Sequence, residues 1–163
     1  MKSSPANRIP AIMQRNKNRG VIRALAVVLL ASAFNHFADR ILGVRIEVFA
    51  GGIGYFSPSW VLDMFLVPFV TGVLVAVIYG FGGKWLSYVP CLIVRGMSYY
   101  DISMHLGDLA PGSSLMPIGW WGFYVILVVE SAGIGGVIGE VMVKRTYGRS
   151  RPPKTVEPRP ARR

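Results

Sequence analysis

The chain of 163 residues is 52% hydrophobic and only 16% charged, with a mean hydropathy of +0.44, which excludes an ordinary soluble domain and points to a polytopic membrane protein. Its single cysteine, Cys91, excludes an intrachain disulfide and any Cys-rich metal centre, and in an apolar stretch it reads as a small packing residue. The net charge of +10 gathers at the ends, with six of the 18 Lys and Arg in residues 1–23 and eight in 144–163. That is a membrane-topology pattern, and no fold or aromatic interleaving argues for nucleic acid.

Residues 1–20 form a basic N-terminal segment. Segment 24–38, ALAVVLLASAFNHFA, is a first apolar helix weakened by Asn35 and His36 and ended by Asp39 and Arg40. A rival reading is a secretory signal with Ala31-Ser32-Ala33 as its cleavage motif. The leader before it is long for a signal, which favours a retained helix. Residues 43–59 carry only Arg45 and Glu47 as charges, with the alternation Val44-Arg45-Ile46-Glu47-Val48 suggesting a short strand or an interfacial piece. Segment 60–81 is long enough to cross a bilayer core of about 30 Å. The turn Phe81-Gly82-Gly83-Lys84 follows.

Segment 85–100 is short, about 24 Å as a helix, and Pro90 and Gly96 weaken it. Residues 101–117 end in the turn chemistry of PGSSLMP. Segment 118–143 is a firm span with Trp120, Trp121 and Tyr124 as an interfacial belt. The tail 146–163, rich in Pro and Arg, is expected to be disordered, with its basic groups drawn to anionic lipid head groups.

Short loops on the cytoplasmic side collect Lys and Arg, so both basic termini belong there and the number of spans is even. The expectation is an all-α, four-helix transmembrane bundle over 21–145 with a short, irregular third span. Its natural setting is a prokaryotic cytoplasmic (inner) membrane.

Small residues recur every fourth position in two spans: Gly72, Ala76 and Gly80, and Ser131, Gly135 and Gly139. Such seams let helix backbones approach closely, within the bundle or against another membrane subunit or a second copy.

Two ionisable residues lie deep in apolar stretches. Glu130 is about 18 Å from the outer end of its span and Arg95 about 15 Å from the inner end of its own. Matching depth makes them an expected pair, either packing glue or a site for substrate, proton or partner. A second polar cluster gathers at the outer side: His36, Asp39, Arg40, Asp63, Asp101, His105 and Asp108. Local pairing, such as Asp63 with Arg40, is its plain reading. His36, Asp39 and His105 are weak metal candidates, because neither histidine spacing matches an established signature. Glu140 and Lys144 form an i,i+4 pair.

No G-x-S-x-G, C-x-x-C, H-E-x-x-H or P-loop is present, which argues against an enzyme, and no cofactor is implied. The leading expectation is a small integral subunit of a multi-subunit transport system using Arg95 and Glu130. A structural or assembly protein is the alternative. A membrane enzyme with an outer His/Asp metal site is the third.

Overall fold

The computed structural model describes residues 8–49 and 56–147, with side chains placed for 18–49 and 56–146. The Gly-rich run 51–54 and the tail from 148 onward, expected to be disordered, lie outside the described residues. What is described is mostly helical. Three helices are long and apolar enough to cross a membrane, within Asn18–Leu42, Pro58–Tyr79 and Ile118–Thr146.

The first helix, α1, runs Arg8–Leu42, starting well before the expected segment and ending one turn after it. Asn35 does not interrupt it. The residue is fully buried and its amide nitrogen donates to Cys91 Sγ at 3.4 Å, so a polar group that looks like a break from outside is held within the bundle. The helix ends where Gly43 takes φ 65°, a left-handed cap that bonds back to Asp39 O at 3.0 Å.

The second helix, α2, spans Pro58–Tyr79. Ser57 caps it by accepting from Trp60 N at 3.2 Å, and Pro58 sits at the first position, where its missing N–H costs nothing. Leu62–Leu66 is a π-turn, closed by the Val67 N–H bonding to Leu62 O. Its cause lies two residues on. Pro68 cannot donate to Met64 O and its ring crowds that carbonyl, so the chain widens just before it. The widened turn carries Asp63 and Met64, both buried.

A helical turn, α3 (Gly83–Leu86), leads into α4 (Tyr88–Met104). Pro90 does not break α4, because it falls in the first turn, where prolines are tolerated. The helix therefore continues through Asp101. It has 17 residues and is not among the three helices of spanning length, so where a short, irregular third span was expected there is a regular helix whose length alone does not make a fourth crossing. The last helix, α5, runs Ile118–Tyr147.

Helices α2 and α5 pack along the two small-residue seams, and backbone meets backbone there. A methyl on Gly72 would overlap the carbonyl of Ala132, and one on Gly135 the carbonyl of Phe69. Gly139 lies against Val73 and Ala76. The seams are thus used on each other inside the chain, leaving neither free for a partner. Gly80 stands apart as the helix stop, with φ 90° and open space around it. Ser131 bonds its own helix at Leu127 O, 2.9 Å away. Helix α1 leans on α2, packing Val27 and Ala31 against Val75.

The two loops at one end are tied by a two-residue antiparallel ladder, Val48–Phe49 (β1) with Ser114–Leu115 (β2). Met116 N donates to Glu47 O at 2.9 Å. The expected alternation over 44–48 yields a strand only at its last residue. Upstream the chain dips inward, burying the neighbours Ile46 and Glu47, and Ile46 joins Trp60, Met64, Cys91, Val128 and Ala132 in the core.

Candidate functional site: a guanidinium among three carboxylates

Arg95 sits midway along α4 with its side chain 2% exposed. Three other segments converge on it. Nη2 donates to Asp39 Oδ1 of α1 at 2.8 Å and to Asp63 Oδ2 of the π-turn at 3.1 Å. Nη1 donates to Glu47 Oε1 of the inward-dipping loop at 3.3 Å. Charged hydrogen bonds of this kind are the strong ones, and a planar fork can serve partners on two sides at once.

Charge counting does not close. One cation faces three carboxyl groups, and Asp63 Oδ1, Glu47 Oε2 and Arg95 Nε are buried without a hydrogen-bond partner among the described residues. One helical turn deeper, Asn35 Oδ1 is in the same position. Buried ionic groups left partly satisfied are costly in a medium of low dielectric. The cluster is therefore polarised and short of donors.

It also has an opening. A cleft of about 790 Å³ between α1 and α4 is lined by Asp39 and Arg95 at its floor and by His36, Arg40, Arg45 and Asp101 toward its mouth. Apolar walls come from Val44, Ile93 and Met97. Asp39 is the carboxylate of the three that reaches it, with 12% of its side chain exposed, against 1% for Glu47 and none for Asp63.

The expected Arg95–Glu130 pair does not form. Glu130 is exposed, while the buried stripe of α5 runs through Val128, Ala132, Gly135 and Gly139. At 100° per residue Glu130 points about 160° away from both Val128 and Ala132, which is the opposite face. Asp63 does not pair with Arg40 either. It turns to Arg95, and Arg40 is exposed with no ion pair among the described residues.

The outer polar cluster is split. Asp39 and Asp63 go to Arg95. His36 is exposed and lies edge-on to Phe37, with ring centroids 6.1 Å apart. His105 pairs with Asp101 at 3.5 Å, and also meets the Asp101 carbonyl at 2.9 Å, both side chains being well exposed. Asp108 follows the end of α4 in a 3-10 turn, so it does not continue the Asp101–His105 face. Among the described residues no three His, Cys, Asp or Glu side chains are placed to hold a metal ion, so the metal candidates His36, Asp39 and His105 do not come together. Glu140 and Lys144 pair as their spacing requires, at 3.4 Å.

Two members of the site escaped the sequence reading. Glu47 was legible only as a loop charge, and Asn35 only as an interruption. The signal for Glu47 was arithmetic: with Glu130 turned away, an Arg deep in an apolar helix still needs carboxylates, and Glu47 belongs to the same end of the helices as Asp39 and Asp63. No protein family, characterised protein or solved structure matches the chain.

Proposed function

We propose that the protein is an integral membrane subunit of the transport class, and that its working group is the Arg95–Asp39–Glu47–Asp63 cluster, which exchanges a proton with the α1–α4 cleft. The polarity of the fold supports the membrane setting. Its interior holds Asn35, Glu47, Asp63, Thr71 and Arg95, while Leu29, Phe37, Ile41, Trp85 and Ile118 are each more than 60% exposed. A lipid solvent accepts that inversion and water does not. Helix α1 supplies Val27, Ala31, Asn35 and Asp39 to the interior, which fits a retained helix.

The observation that carries the transport reading is the combination of surplus carboxylates and an opening. Ionisable groups inside a membrane protein mark ion and proton paths when they face a cavity. A pure structural lock needs neither unmatched acid nor access.

The test is infrared pH-difference spectroscopy on the full chain in neutral-lipid liposomes. A carboxylic C=O band that disappears on raising the pH, and that Asp39→Asn removes, supports the site. Absence of any titrating carboxyl band, or a band untouched by Asp39→Asn, leaves the structural reading. One observation favours that alternative: a single guanidinium ties α1, the 43–49 loop, α2 and α4 together.

A further inference from the structure

The small-residue seams are consumed inside the chain, so a partner needs another face, and α5 carries one. Phe123, Ile126, Ile134 and Val137 are 49%, 59%, 58% and 49% exposed, and Glu130 stands exposed at the centre of their row. Spacings of three and four put all five on one stripe of the helix. Glu130 is 12 residues from Ile118 and 16 from Thr146 in the spanning helix, about 18 and 24 Å from its ends.

Resting on the membrane reading above, we infer that this stripe is a docking face for a transmembrane helix of a different subunit, one that presents a cationic side chain to Glu130 at mid-membrane depth. An acid facing hydrocarbon there is costly alone, and such groups pair with a partner. Apolar residues at heptad-like spacing on both sides provide the packing. One polar group in such a stripe fixes register, and polar contacts between helices hold them together in lipid.

Charge complementarity selects the occupant. Among the described residues Glu130 makes no ion pair, and the one buried cation, Arg95, is already held by three carboxylates. A second copy therefore brings no free cation to that depth. The exposed face of α1 lacks this mark: its residues Leu25, Leu29, Phe37 and Ile41 are apolar and suit lipid chains.

The experiment places a photo-crosslinking amino acid at Ile134 in the full chain, expressed in its own membrane, and sequences the adducts. Adducts to one other protein, at a segment of 18 or more apolar residues containing Lys or Arg, support the inference, provided Glu130→Gln cuts the yield at least about tenfold, the loss of roughly one charged contact. Adducts to lipid only, to a second copy, to a helix without a cation, or in undiminished yield with Glu130→Gln would overturn it. Glu130→Gln sits on an exposed face, and an unchanged melting profile shows the fold intact. The infrared titration of the Arg95 cluster involves neither Glu130 nor a partner, so the two failures are separable.

Discussion

Asp39 and Asp63 take hydrogen bonds from one and the same nitrogen, Nη2 of Arg95, at 2.8 and 3.1 Å. They come from different helices, so the guanidinium registers α1 against α2 beside the apolar contact of Val27 and Ala31 with Val75. The third carboxylate, Glu47, adds the 43–49 loop through Nη1.

Arg95→Gln removes the cation and leaves three buried carboxyl groups without it. Breaking a buried ion pair from one side costs about 3–5 kcal/mol, more than keeping the pair yields. The expected outcome is a sharply lowered melting temperature in mild detergent. Arg95→Lys keeps the charge but has no planar fork to serve both Nη1 and Nη2 partners, so it should melt between the two. A wild-type profile for Arg95→Gln would show that the cluster does not hold the helices.

Glycine substitutions divide by what the backbone meets. Gly72→Leu and Gly135→Leu put side chains into the carbonyls of Ala132 and Phe69, and should prevent α2 and α5 from pairing. Gly96→Ala meets nothing within 4 Å in mid-helix and should stabilise by about 0.5–1 kcal/mol. Yield and thermal stability of the three purified variants give the comparison. Equal behaviour would mean that close α2–α5 packing is not required.

The helices and their small-residue seams were legible because periodicity and residue size act locally. Partner choice was not. Depth along an axis suggested Arg95 with Glu130, but depth says nothing of the angle around a helix, and α5 spends its inward face on Ala132, Gly135 and Gly139. Pro90 looked like a breaker because its effect depends on where the helix starts, two residues earlier. Glu47 was hidden for a different reason. Loop charges are usually solvated, and only the inward dip beside Ile46 makes this one interior.

Glu47→Ala should release that dip. It removes the Nη1 partner and leaves the loop held by Ile46, the Met116–Glu47 backbone bond and the short ladder. Loss of a buried charged hydrogen bond costs about 1.5–3 kcal/mol, and the effect should be local. Hydrogen exchange of amides 46–49 is expected to quicken more than tenfold, with the α2–α5 interface unchanged. Uniform exchange across the chain would contradict the role of Glu47 as a latch.

Pro68→Ala sets helix propensity against site geometry. Propensity alone predicts a gain, since proline in a helix interior is about 3 kcal/mol worse than alanine. The restored N–H, however, can bond Met64 O and close the π-turn of Leu62–Leu66 into ordinary α-helix. Removing the inserted residue rotates what precedes it by about 100°, which turns Asp63 away from Nη2 and takes Met64 out of the core. The expected result is a lower melting temperature than wild type, and a loss that Asp63→Asn in the same background does not deepen. A more stable Pro68→Ala protein would mean that the π-turn is incidental to the cluster and that Asp63 finds Arg95 without it.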